Sequence, residues 1–576
     1  MIACYKYRFE SFHKTQTGMS TLQPYTPLIS KLRLNRRASY AHQWATFGNL
    51  LWIVLVVTII RLLYVGILNP IELVKDEAHY WEWARHLAGS YYTKGPGIAW
   101  LIAASVRIFG QSEWAVRLPS ILIASMTALS LAKLTATVSG NDQRAGFFAG
   151  IAFLLVPACQ VTGMLMTIDG PYMLCWVFAI WSTAIAGKQQ DTQRLPWGYI
   201  LVGFFLGLGF LFKYTMVLLL PGVAVYLWFC RGKRKWGMQT MLCLVIGLLV
   251  MLGMSYPVIC WNHQHDWPTL SHLLGRLHLP GGDEAVSHQW SATWFFEYLF
   301  TQVGIIGPAG IAVMIMSLKL AWRHRKQDAK RWDGQLLMIC CSLPILLFYS
   351  IIAIFKPTQG NWTLAGYLSL FVIVGMQVTR QMSHYQSQVR RWERLPFPRP
   401  KRGYLRSKPE TWFQIAWEVH IKWGIGAAVV ILSLPLIGHL PGLDRYVPTH
   451  RWEGARLQAQ RVDHVRRQIA EKQGQLPVLI SDHYGDTSQL AFYLPDHPRV
   501  FCAGHLLGRR KSAYDFFADQ NLKDPELLGR TVLLIHGSEK RWQDLFAFSS
   551  FHVIDREHQI YRMDGYAGLK TGSPLP

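Results

Sequence analysis

Eleven apolar runs, most of them about as long as a lipid bilayer is thick, dominate this chain. They fall at roughly 47–68, 118–138, 145–160, 171–187, 197–212, 214–230, 238–260, 295–320, 335–355, 362–378 and 422–441. A continuous apolar run of this kind crosses hydrocarbon only as a helix, because every backbone N–H and C=O must be satisfied within the segment. Only 16% of the residues are charged, against about a quarter in ordinary soluble domains. The sequence therefore predicts a mostly α, polytopic helical membrane protein of about 11 spans, within a range of 10–13.

The charges orient it. Lys and Arg exceed Asp and Glu by 58 to 34, a net +24, and the excess collects in short segments between apolar runs. Such segments stay on the cytoplasmic side. Arg231–Lys235 is one, Arg323–Arg331 another, and the 379–410 loop, with nine basic residues and two acids, a third. Residues 1–46 are also basic. They read as a cytosolic leader without fixed structure, ahead of a first span acting as an uncleaved anchor. The 261–293 loop has one Arg and three acids and fits the outer face. Parity then makes 98–110 a helix lying in the interface rather than a span. A basic total of this kind also suits nucleic-acid binders, but its placement between apolar runs, with no zinc spacing or RNA-binding signature, argues against that partner.

After Leu440 the composition changes. Pro477–Ser481, Val500–Cys502, Thr531–Ile535 and Phe551–Ile554 are strand-like, with a helical pattern from Arg456 to Lys472. Strands alternating with helices predict a small α/β domain over 442–576, placed outside by an odd number of spans.

The chemistry concentrates between Lys75 and Trp100, just outside the first span. Asp76 and Glu77 open a helix pattern rich in aromatics, including Tyr80, and the stretch ends in Tyr91-Tyr92-Thr93-Lys94-Gly95-Pro96-Gly97. Acids in a first helical turn also serve simply as partners of the helix dipole. Here they share the membrane surface with a lysine held in a Gly/Pro turn, where backbone can approach a ligand closely. Asp169, Lys213 and Lys356 interrupt apolar runs on the same side, Lys356 shortly before Asn361 and Trp362. Ionisable residues at membrane depth are costly and tend to line cavities or substrate paths. The His263-Gln264-His265-Asp266 cluster matches no strong metal spacing.

The Asp76-Glu77-Ala-His-Tyr80-x-x-Trp83 stretch with Tyr91-Tyr92-Thr93-Lys94-Gly95-Pro96 resembles the first outer loop of a GT-C superfamily. It contains the dolichyl-phosphate-mannose protein mannosyltransferases and the aminoarabinose (lipid A) transferases. Trp114–Pro119, Thr167–Pro171, Lys213-Tyr214 and Lys356–Trp362 resemble its later landmarks. The turn departs from the common Lys-Pro-Pro or His-Pro-Pro.

The resemblance implies transfer of a sugar from a polyprenyl phosphate to a lipid, glycan or protein acceptor, with inversion, at the outer face of a bacterial inner membrane. Asp76 is expected as the base, with Glu77 beside it in catalysis. Lys94, Arg117, Lys213 and Lys356 are expected at the donor phosphate. Tyr80, Tyr92, Asp169, Asn361 and Trp362 are expected in the substrate pocket. No cofactor is required, and a divalent metal is optional. The alternative reading is a transporter or flippase of a lipid-linked sugar, which more often shows paired halves or interrupted spans at matching positions.

Overall fold

All eleven apolar runs become helical within the described residues, but not all become long helices. The computed structural model describes residues 43–277, 280–283, 290–393, 408–437 and 453–570. The expected leader lies outside them save for residues 43–46. Among the described residues seven helices are long and apolar enough to cross a membrane: Phe47–Leu68, Glu113–Val138, Asp169–Asp191, Met238–Gln264, Ala329–Phe355, Gly360–His384 and Trp412–Pro435. Ala292–Ile306 and Pro308–His324 add an eighth if the pair, bent by 95°, is one span. Gly97–Phe109, Gly198–Phe210 and Tyr214–Cys230 are apolar but shorter.

Helix length alone thus gives fewer spans than the run count, and the breaks have local causes. Proline removes a donor and opens a new helix at its first turn. Pro157 starts Pro157–Thr162 just after Gln143–Leu154 ends, and Pro308 follows Gly307, whose φ is +86°. The basic loop also begins later than its charges suggested, since the helix from Leu364 runs on to Glu393.

Leu51, Trp52, Ile59, Leu248, Leu249 and Phe300 form part of an exposed apolar surface on the helices. Between helices small residues permit backbone contact, as membrane packing favours. A Cβ on Gly203 would lie 1.8 Å from the carbonyl oxygen of Gly247.

The C-terminal region carries a five-stranded sheet: β1 (Val478–Ser481), β2 (Val500–Cys502), β3 (Val532–Ile535), β4 (Ser550–Asp555) and β5 (Ile560–Asp564), in the order β2-β1-β3-β5-β4. β1 pairs in parallel with β2 and β3, while β5 is antiparallel to both β3 and β4. Ile480, Phe501, Leu534 and Trp542 are buried in the core of this sheet.

The Tyr484–Tyr493 helix docks the sheet onto the helix Lys75–Arg85. Tyr493 Oη accepts from Leu73 N at 2.7 Å, and Gln489 Nε2 donates to Leu73 O at 2.7 Å. Lys75 pairs with Asp486 at 2.7 Å, and Trp81 meets Phe492 edge-on. The spans and the sheet belong to one compact unit, Ala45–Pro576. The helix bearing Asp76 is held between them.

Candidate active site

Asp76 and Glu77 are neighbours in sequence and part company in space. Both lie in the first turn of Lys75–Arg85, and successive helical residues point about 100° apart. Glu77 turns inward and is completely buried. Its Oε1 accepts from Arg117 Nε at 2.9 Å and Met166 N at 2.7 Å; its Oε2 accepts from Arg117 Nη2 at 2.6 Å. Arg117 also donates to the carbonyls of Ile71 and Glu72, at 2.8 and 2.9 Å. Glu77 and Arg117, expected at the chemistry and at the donor phosphate, form a buried ion pair with each other, and neither lines the cavity described next. Burial that deep serves to fix the helix, since all their hydrogen-bonding directions used here point into protein.

Removing one partner of such a pair strands the other charge, typically costing about 3–5 kcal/mol. Arg117→Leu is expected to lose that much stability, seen as a lowered melting temperature in detergent. A variant melting like the wild type would show that the pair is not what holds the helix.

Asp76 stays exposed to a cavity of about 400 Å³. Its Oδ1 accepts from Tyr484 Oη at 3.4 Å. Lys94 borders the same cavity. Its turn is pinned: Tyr91 N donates to Lys94 O at 3.0 Å, Gly97 N donates to Leu211 O at 3.0 Å, and Tyr91 stacks on Trp83. A Cβ at Gly95 would sit 2.2 Å from Leu211 O, so only glycine allows this approach. The turn is thereby laid against the segment that carries Lys213. Lys94 Nζ has no hydrogen-bond or ion-pair partner among the described residues. Burial, chiefly, and the nearby Lys213 ammonium lower its pKa to about 8, against the opposing pull of Asp169 and Asp76.

Asp169 opens the Asp169–Asp191 helix. One carboxylate oxygen accepts from Lys213 Nζ at 2.8 Å and the other from Asn361 Nδ2 at 2.8 Å. Lys213 is thus already neutralised, and this triad is a wall of the cavity. Tyr80 and Trp362 complete the group of expected residues that line it.

Tyr92 and Lys356 lie outside the lining. Tyr92 Oη donates to Asp283, which His272 also engages. Lys356 Nζ donates to the carbonyl of Arg276. Both brace the segment from Arg276 to Asp283 at its two ends. Lys356, expected at the donor phosphate, is turned to that backbone instead.

Sequence reasoning missed Arg276, Tyr484, Arg510 and Lys511, which also line the cavity. Arg276 was visible as the single arginine of the outer loop. Arg510-Lys511 was visible as a basic run in a region placed outside. His79, also in the lining, is a neutral imidazole: burial, then His483, lowers its pKa to about 3. Its Nε2 accepts from Trp83 Nε1 at 3.1 Å, and its Nδ1 bonds Ser488 Oγ at 3.2 Å.

Among the described residues one group of side chains offers a metal its donors, outside the cavity lining. Asp482, Asp486 and His536 bring ligand atoms within 4.8 Å of one another, but Asp482 holds Arg509 at 2.6 Å and Asp486 holds Lys75 at 2.7 Å.

Residues 93–261 match the family model described as dolichyl-phosphate-mannose-protein mannosyltransferase. The lipid A galacturonosyltransferase RgtD of Rhizobium johnstonii is 27% identical over 302 residues, 51% of this chain and 58% of that protein. The undecaprenyl phosphate-alpha-4-amino-4-deoxy-L-arabinose arabinosyl transferase 2 of Pseudomonas fluorescens is 24% identical, over 45% of each chain. The chain thus spans about half the length of the curated relatives it matches. Among solved structures, ArnT from Cupriavidus metallidurans bound to undecaprenyl phosphate superposes with a TM-score of 0.56 at 16% identity, over 92% of this chain and 98% of that one. The expected GT-C fold, helical with a small sheet domain at the C-terminus, is borne out.

Proposed function

We propose that this chain is a membrane glycosyltransferase. It moves a sugar from a polyprenyl phosphate to a lipid A-type glycolipid at the outer face of a bacterial inner membrane. The observation that carries the reading is the shared cavity: a solvent-facing carboxylate, Asp76, and an uncompensated ammonium, Lys94, border one space of about 400 Å³. The named activities of the relatives support the donor and acceptor classes.

The reaction is one displacement. The acceptor hydroxyl attacks the anomeric carbon, and its proton passes to Asp76. The bond from that carbon to the phosphate oxygen breaks, and the electron pair leaves with the phosphate. The donor's phosphodiester carries one negative charge and the departing monoester two. Negative charge therefore moves from Asp76 to the phosphate as the reaction proceeds. Lys94 meets that growing charge without reorganising, which is where electrostatic catalysis is strongest. Phe348, Ile352 and Trp362 supply an apolar side for the first isoprene units. Asp169, Lys213 and Asn361 hold the wall in register. No step needs a metal, so a divalent ion is optional.

The test is direct. The full chain in liposomes, given undecaprenyl phosphate carrying a radiolabelled sugar and lipid A, is expected to label the lipid A. Donor sugars known from the relatives, aminoarabinose and galacturonate, are tried in turn. Movement of intact donor across the bilayer with no labelled acceptor would contradict the reading and favour a flippase.

A further inference from the structure

The sheet domain sends one side chain to the carboxylate assigned above as the base. Tyr484 comes three residues after β1 ends and opens the Tyr484–Tyr493 helix. Its Oη donates to Asp76 Oδ1 at 3.4 Å. Asp76 Oδ2 has no hydrogen-bond partner among the described residues. One oxygen of the carboxylate is thus engaged and the other is left to the cavity.

The placement of that hydroxyl is fixed from several sides. A Cβ at Gly485 would lie 2.6 Å from Lys75 Cβ. The backbone just after Tyr484 therefore reaches the residue just before Asp76 only because it is glycine. The Lys75–Asp486 pair ties the same two helical turns together. The Tyr484 ring packs against His79 and His483, with ring centres 4.7 and 4.3 Å away.

His79 closes the loop. It lies three residues after Asp76, on the same side of their helix. The indole N–H of Trp83 can only donate, so His79 Nε2 accepts it, and Nδ1 of the neutral ring carries the proton. Nδ1 donates to Ser488 Oγ at 3.2 Å, and Ser488 Oγ donates to the Tyr484 carbonyl at 2.8 Å. The helix that bears the base thus holds, through His79 and Ser488, the residue that bonds the base.

We infer that Tyr484 is a positioning residue for the proton transfer: its hydroxyl fixes Asp76 Oδ1 and turns Oδ2 toward the acceptor. The inference rests on the glycosyltransferase reading above. It gives the sheet domain a part in the reaction, through one hydrogen bond. The contact is long in the free protein, as catalytic hydrogen bonds often are until substrate tightens them.

The experiment uses the full chain in liposomes, with kcat and KM measured for the donor and for lipid A. Tyr484→Phe keeps the ring and its packing. It is expected to lower kcat about tenfold, the worth of one hydrogen bond to an ionised group. Both KM values and the melting temperature are expected to stay as in the wild type. In an Asp76→Asn background the same substitution is expected to cost nothing further, within about twofold. A loss from damaged structure would instead multiply with that of Asp76→Asn. Gly485→Ala keeps the hydroxyl but pushes its turn off Lys75, and is expected to lower kcat as well.

Wild-type kcat in Tyr484→Phe would overturn the inference. So would a tenfold loss that persists beside Asp76→Asn, or a loss confined to KM for lipid A, which would make Tyr484 a substrate contact. The enzyme reading fails separately. A wild-type chain that moves no sugar from any donor sinks that reading, whereas a transferring wild type matched by Tyr484→Phe sinks only the role of Tyr484.

Discussion

Asp76→Asn is expected to leave the protein folded, membrane-inserted and able to bind donor, and to lower the transfer rate about 10²- to 10⁴-fold, the usual worth of a positioned base. The amide keeps the shape of the carboxylate but cannot accept the hydroxyl proton. Folding should tolerate the change because Asp76 is exposed to the cavity and its hydrogen bond with Tyr484 is a long one, at 3.4 Å. Its neighbour predicts the opposite pattern. Glu77→Gln disturbs a buried pair with Arg117 and is expected to cost stability first. Measuring kcat and melting temperature side by side for the two variants separates chemistry from scaffold. Near-wild-type turnover by Asp76→Asn would remove Asp76 from the proton transfer.

Lys94→Met is expected to cost about 10²- to 10³-fold in kcat/KM for the donor, as loss of a preorganised group facing developing charge does elsewhere. A second signature is pH. With its pKa lowered to about 8 by burial and Lys213, Lys94 is charged below that value in the free protein and loses its charge above it. The contribution to donor capture is therefore full below pH 8 and falls as pH rises through it, by up to tenfold per unit. The kcat/KM profile reports groups of the free enzyme, so it should bend downward near pH 8. In Lys94→Met that bend should vanish. A profile unchanged by the substitution would assign the phosphate to another cation of the lining, such as Arg510.

The membrane helices were legible because lipid leaves a chain few choices, and the runs announce themselves by composition. Their breaks were written in Pro157 and Gly307-Pro308, but a window of apolar residues averages over such points. Four strands stood out as short β-branched or aromatic runs. β5 did not: Ile560–Asp564 carries Arg562 and Asp564 within five residues, and its pairing with β3 is what makes it a strand.

At the site, Asp76 and Lys94 were readable because helix, turn and membrane surface bring them together over a short stretch. The separation of Glu77 from Asp76 needed the partner Arg117, whose approach only the packed helices reveal. Arg510 lies in a different layer of the protein, and no local pattern ties it to Asp76. It arrives through the docking of Tyr484–Tyr493 on Lys75–Arg85, a contact made of hydrogen bonds and ring edges that a single sequence does not encode by spacing.

The most direct test of the shared cavity is an experimental structure of the full chain with undecaprenyl phosphate bound. The phosphate is expected within hydrogen-bonding distance of Lys94 Nζ, about 3 Å, with Asp76 facing the side from which an acceptor would approach. A phosphate seated against Lys356 or Arg117, away from the cavity that Asp76 borders, would contradict the account.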